Sequence, residues 1–99
     1  MISVQDQLSR IPTQANGVAS RLVDGVAIAL TEGDQTLHTF DGPVSTHIWM
    51  LIDGHRTLAQ ILDDLQSTFE VEPQRARDDL LQFIQLLQDR GLVAVSGTP

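Results

Sequence analysis

The stretch HIWMLIDGHRTLAQIL, residues 47–62, decides how the chain is read. With the residues just before it, Val44, Ile48, Leu51 and Ile52 recur at helical spacing and make one apolar stripe. Pro43 suits the first turn of that helix, where a missing N–H is no loss. Gly54 then stands where a helix ends in left-handed backbone. Thr57, followed three residues later by Gln60, is a capping box that starts the next helix. The stretch holds no nucleophile, metal cluster or phosphate loop. Two short helices at a tight corner are frequent in DNA-binding proteins, so the corner raises the question of whether it meets DNA or holds something else in place.

The half of the chain downstream of this stretch is helical. Leu58, Ile61, Leu62, Leu65 and Phe69 form the stripe of the second helix. Pro73, just after Glu72, opens the third, whose core face is Ala76, Leu80, Phe83, Ile84 and Leu87. Gly91 stops it, and LVAV follows as a short extended tail. Upstream, VASRLVDGVAIAL places two β-rich runs around Asp24-Gly25, a pair suited to a type I′ hairpin turn because both positions need positive φ. TEGD makes a second turn. QTLHTF then alternates, with Leu37 and Thr39 on one face and His38 and Phe40 on the other. Strands are expected at about 18–23, 26–30 and 35–40. A three-stranded antiparallel sheet followed by three α-helices is an α+β domain, winged helix-turn-helix-like in order. Residues 17–96 are expected to form this domain. Residues 1–16 are expected to be a flexible N-terminal arm with a turn of helix near Val4–Leu8. The corner at Asp53-Gly54 is thus read as structural.

Composition narrows the function. Ninety-nine residues make one small domain with little room for a buried active site. Zero Cys excludes disulfides, thiolate metal sites and a catalytic thiol. No apolar run reaches the roughly 18 residues of a membrane span, and the N-terminus lacks a signal-peptide pattern. A cytoplasmic location is expected. Thirteen acidic residues against six Arg and no Lys give a formal charge of −7, a field that repels phosphate backbones.

No enzyme is expected. His38, His47 and His55 are spaced too widely for a helical metal site. Adjacent carboxylates at Asp63-Asp64 and Asp78-Asp79 diverge by about 100° on a helix and make no dyad. Neither catalytic residues, metal ligands nor a cofactor site emerges. Trp49 is read as core.

The third helix carries the sharper signal. With its core face centred on Leu80, Ala76, Ile84 and Leu87 fall within about 40°. Phe83 lies near −60° and Leu86 near −120°, with Arg75, Asp79 and Arg90 on the same flank. An apolar shoulder rimmed by charges suits a peptide groove. Leu81, near +100°, is an equivalent shoulder on the other side, and helical angles alone leave open which of the two meets another element.

The ordered set Ile48, Trp49, Leu51, Asp53, Gly54, Arg56, Thr57, Ile61 and Leu65, closing on Leu87, Gly91 and Leu92, resembles the PqqD-like family. The similarity covers about residues 18–95. Where family members often carry Leu-Asn-x-(Thr or Ser)-Gly before the Ile-Trp pair, this chain has FDGPVST, so a reshaped strand-to-helix loop is expected. The resemblance implies a peptide recognition element: a non-catalytic domain that binds the leader of a ribosomally made precursor and presents it to a modifying enzyme such as a radical SAM enzyme, protease or cyclase. It also implies that the leader adds as a strand to the third strand, over the third helix. The residues then expected to bind peptide are Thr36, Leu37, His38, Thr39, Phe40, Arg75, Asp79, Phe83 and Leu86. Alternation alone leaves open which N–H groups of that strand face outward. Two other readings compete: a winged-helix DNA-binding regulator, which a −7 charge and a lone Arg56 near the second helix equip poorly, and a structural or dimerisation adaptor. Neither nucleic acid nor membrane is expected as a partner.

Overall fold

Asp24 and Gly25 both take positive φ, 51° and 79°, which closes the hairpin between β2 (Val18–Val23) and β3 (Val26–Thr31). Gln35, at φ 54°, turns the chain into β4 (Thr36–Phe40). These strands form an antiparallel sheet in the order β2-β3-β4. Three helices follow: α2 (Pro43–Leu51), α3 (Leu58–Thr68) and α4 (Pro73–Asp89). The computed structural model describes residues 3–96 of the chain. Its architecture is the α+β, winged helix-turn-helix-like arrangement read from the sequence, and α4 is the third helix of that reading.

The corner holds as its residues dictate. Gly54 has φ 81°. Thr57 accepts from the Gln60 N–H while the Gln60 side chain accepts from the Thr57 N–H, a complete capping box. Asp53 accepts from the N–H groups of His55 and Arg56 and pairs with the Arg56 guanidinium at 2.6 Å. The His55 N–H first, then the Arg56 N–H and charge, hold the Asp53 carboxyl below its ordinary range.

The corner also seats residues upstream of the sheet. Residues 4–8 are a short helix, α1 (Val4–Leu8), and β1 (Ile11–Gln14) pairs antiparallel with β5 (Val93–Ser96). Gly54 N–H donates to the Pro12 carbonyl at 3.1 Å, Leu58 N–H to Arg10 at 2.9 Å and Ala15 N–H to Leu92 at 2.9 Å. Pro12 is fully buried. A Cβ on Gly54 would stand 3.0 Å from the Thr13 hydroxyl. The sequence reading leaves residues 1–16 as an arm, of which residues 1 and 2 lie outside the described ones; in the structure 11–14 are a strand of the body. IPTQ is short, contains Pro and lacks alternation, and its partner lies some eighty residues away, so no local pattern marks it.

The core joins the inner sheet face to all three long helices. Ala27, Ala29 and Phe40 meet Ile48, Trp49 and Ile52 of the α2 region, with Ile61, Leu65, Leu80, Ile84 and Leu87 behind them. Phe40 stacks on Trp49 at 4.8 Å between centroids and meets Phe83 edge-on at 6.0 Å. Trp49 is therefore core, as expected, although its indole N–H has no partner among the described residues. His47 is half-buried, bonded to Asp64 at 2.6 Å and edge-on to Phe69.

Candidate functional site

β4 is an edge strand, and its polarity can be read from its two ends. At one end the Thr36 N–H donates to the Thr31 hydroxyl, whose own proton goes to the Asp34 carboxylate. At the other, the buried Thr46 hydroxyl accepts from the Ala27 N–H at 3.3 Å and donates to the Phe40 carbonyl at 3.0 Å, bridging the last rung of the sheet. Thr36 and Phe40 thus turn their backbone groups inward, towards β3. N–H and C=O groups alternate sides along a strand, so Leu37 and Thr39 present theirs to the open edge. Those are the groups that alternation of side chains could not orient.

The turn that delivers this edge is tied by side chains. The Thr31 hydroxyl, then the Thr36 hydroxyl and N–H, hold the Asp34 carboxyl below its ordinary range. At the far end, Gly42 at φ 93° and Pro43 at N1 swing the chain into α2.

Beside the edge runs a groove walled by α4. A concavity of about 290 Å³ is bordered by Leu37, His38, Thr39 and Phe40 on the strand and by Phe83 and Leu86 on the helix. Arg90 and Asp41 also reach it, with Ser45 from α2. A second concavity of about 470 Å³ continues between α2 and α4, bordered by Val44, Ile48, Asp79 and Gln82, and shares Ser45, Phe83 and Leu86 with the first. Leu86 is 42% exposed and Val44 39%, so both rims offer apolar surface to solvent.

Of the residues singled out by sequence, Leu37, His38, Thr39, Phe40, Phe83 and Leu86 converge on the first concavity and Asp79 on the second. Thr36 stands at the strand's start with its backbone groups occupied, and Arg75 borders neither concavity. Arg75 instead lies loosely against Asp79 at 3.7 Å, both side chains mostly in solvent. The two shoulders of α4 differ. Leu81 is half-buried against the face carrying Leu58, Ile84 and Val95, whereas Leu86 stands free beside the β4 edge. Sequence reasoning did not include Val44 and Ser45, which reach the groove only because α2 starts immediately after β4. The signal was present in Pro43, which pins that start two residues from the strand.

The chemistry offered is that of binding. The edge supplies unpaired backbone donors and acceptors, the groove supplies apolar walls, and Arg90 and the acidic Asp41 and Asp79 lie at its rims. Among the described residues no group of His, Asp and Glu side chains is arranged to hold a metal ion, and no helix is long and apolar enough to cross a membrane.

Comparison with solved structures finds the same architecture twice over. One is described as TbiB1 in complex with the TbiA(beta) leader peptide; it shares 22% identity at a TM-score of 0.77, covering 82% of this chain and 93% of that one. Another is a lasso peptide synthetase B1 complexed with the leader peptide, at 19% identity and a TM-score of 0.71, covering 84% and 96%. At such identities the likeness establishes the fold. No curated protein matches the chain. Residues 37–93, from the open strand through the corner to the start of β5, match the profile of the family described as coenzyme PQQ synthesis protein D, and the chain belongs to this PqqD family.

Proposed function

We propose that this chain is a non-catalytic recognition domain for the leader of a ribosomally made precursor peptide, which it takes up as an added strand on β4 and presents to a modifying enzyme. The observation that carries the reading is the pairing of an open edge with an apolar groove directly beside it: Leu37 and Thr39 offer backbone groups, and Phe83 and Leu86 receive side chains. Family membership and two structural neighbours in complex with leader peptides support the same ligand. Leader-peptide-binding domains of this family are generally non-catalytic. The site is proposed to be Leu37, His38, Thr39, Phe40, Asp79, Phe83 and Leu86, with Thr36 and Arg75 at its margins. The setting is the cytoplasm, where precursors are synthesised, and the modifying enzyme is of the radical SAM, protease or cyclase kind.

Magnitudes decide which part of the site does the selecting. Four edge groups, at about 0.5–1.5 kcal/mol net each, return roughly 2–6 kcal/mol. Ordering five residues of a flexible peptide costs about 1–2 kcal/mol each. Backbone pairing therefore about breaks even at best, and affinity depends on apolar side chains, each contributing about 1.5–3 kcal/mol when buried in the groove. Micromolar binding is the expectation. The test is a calorimetric titration with the leader of a precursor encoded beside this chain. Leu86→Ala should weaken binding about tenfold with little change in melting temperature, because Leu86 is already partly exposed. Binding unchanged in Leu86→Ala removes the groove from the site.

A further inference from the structure

The groove does not end where β4 ends. The concavity between α2 and α4 shares Val44, Ile48 and Asp79 with a third one, about 250 Å³, that lies between the starts of α2 and α4 and the end of α3. This third concavity is closed at its far end by Phe69 and Val71 and lined by Leu65 and Leu80. Its room comes from Ala76. The buried stripe of α4 reads Ala76, Leu80, Ile84, Leu87, and only its first position is small. Interiors are normally packed with few voids larger than a water. An apolar cavity of about 150 Å³ already accepts a benzene-sized group, so this one has room for a Leu or Phe side chain. Its lining is apolar apart from Asp79 at the mouth, a carboxylate held only by the 3.7 Å contact to Arg75.

From these observations we infer that the pocket between α2, α3 and α4 is a second anchoring subsite of the same groove, taking an apolar side chain of the bound peptide with a cationic neighbour at Asp79. The inference rests on the reading of the β4–α4 groove as a peptide site. It commits to the continuing peptide as occupant because the three concavities form one track, with Ser45, Phe83 and Leu86 at the first junction and Val44, Ile48 and Asp79 at the second. The distance is set by α4. Phe83 meets Phe40 at the end of β4, and Ala76 lies two turns earlier, about 10 Å at 1.5 Å per residue. An extended chain covers that in about three residues. The recognised peptide is thus bipartite: a strand-forming stretch of about five residues, then, about three residues past the one facing Phe40, a Leu- to Phe-sized side chain beside Lys or Arg. Two anchors at a set spacing select more sharply than strand addition, because backbone pairing is blind to side chains.

The test uses a displayed library of random twelve-residue peptides, selected in parallel on the whole wild-type chain, Val44→Glu, Val71→Glu and Leu86→Ala. Val44 is partly exposed in the first turn of α2, where a carboxylate is tolerated by the helix dipole, so this variant should fold normally. The expected result is that wild type enriches peptides with an apolar residue at the stated spacing and a basic residue beside it. The best of them should bind Val44→Glu and Val71→Glu about tenfold more weakly, while a version truncated before the anchor binds wild type and Val71→Glu alike. Enriched peptides that tolerate Ala at the anchor, or a truncated version that loses as much on Val71→Glu as the full one, would overturn the second subsite and leave the strand site standing. No enrichment at all, or selected peptides indifferent to Leu86→Ala, would overturn the groove reading itself and the subsite with it.

Discussion

The molecule carries two small sheets that treat their polar edges in opposite ways. In the β1–β5 ribbon, carbonyls at the strand and beside it are taken up: Pro12 by Gly54 and Arg10 by Leu58 of the helix corner, and Leu92 by Ala15 across the ribbon itself. Its core positions, Pro12, Leu92 and Val93, are buried. Among the described residues, only β3 of the β2-β3-β4 sheet has a neighbour on each side, and the groups of Leu37 and Thr39 on β4 are unpaired above an apolar groove. Stability and recognition thus reside in different sheets. One ribbon uses its hydrogen-bonding capacity to lock the helix corner, and the other sheet keeps part of its capacity in reserve for something outside the chain.

The sharpest way to break the contrast is to delete the closed ribbon's first strand. Removal of residues 1–16 should strip Gly54, Leu58 and Leu92 of partners and uncover apolar surface, at a cost of about 3–5 kcal/mol, lowering the melting temperature by roughly 15–30 °C. A melting temperature that moves by only a few degrees would mean the ribbon is decorative and that residues 1–16 behave as the arm the sequence suggested. Gly54→Val is the point-mutation form of the same test. Its positive φ and the 3.0 Å approach to Thr13 together should cost about 2–4 kcal/mol, read by denaturant unfolding.

The open sheet should respond the other way. Thr39→Pro removes an outward N–H without breaking a bond to β3, so unfolding free energy should change by less than about 1 kcal/mol while leader affinity falls about tenfold. His38→Pro, whose N–H faces β3, should instead destabilise the fold. If the two behave alike, the assignment of inward and outward groups along β4 is reversed or meaningless. The smallest effect is electrostatic. His47 first, then Thr68, hold the Asp64 carboxyl below its ordinary range of about 3.8. A depressed folded pKa contributes stability that is present above pH 3.8 and lost as pH falls through the folded value. Asp64→Asn should therefore be slightly less stable than wild type at pH 5–7, by under about 1 kcal/mol given that the two side chains are 31% and 40% exposed, and the difference should vanish as pH falls through the folded value.

Much of this arrangement was legible in the sequence because it is written in local chemistry. Asp24-Gly25 needs positive φ wherever it lies, Thr57 and Gln60 cap each other over three residues, and Pro43 and Pro73 start helices without help from the rest of the chain. What escaped were relations between distant segments. β1 is defined by its partner rather than by its own four residues. Leu81 and Leu86 stand at nearly equal angles from the core face of α4, and only α1, α3 and β5 on one side, against an open strand edge on the other, decide which is covered. Likewise, QTLHTF shows which side chains share a face, but the direction of its N–H groups depends on where the Thr31–Thr36 turn begins the pairing.

The ribbon has a temporal consequence as well. Ile11 and Ser96 are brought together across 85 residues of chain, and Ser96 donates to the Ile11 carbonyl. Closing a loop of that length costs about 4 kcal/mol beyond the constant term, and contacts so far apart in sequence slow folding. Synthesis is vectorial, so β1 leaves the ribosome early and must wait for the last strand before the corner it supports is sealed. The hairpin of β2 and β3, closed by a two-residue turn, can form long before then. β4 follows β3 by a short turn as well, so a nascent chain passes through a stage in which the open sheet is paired while the ribbon that seals the corner is not.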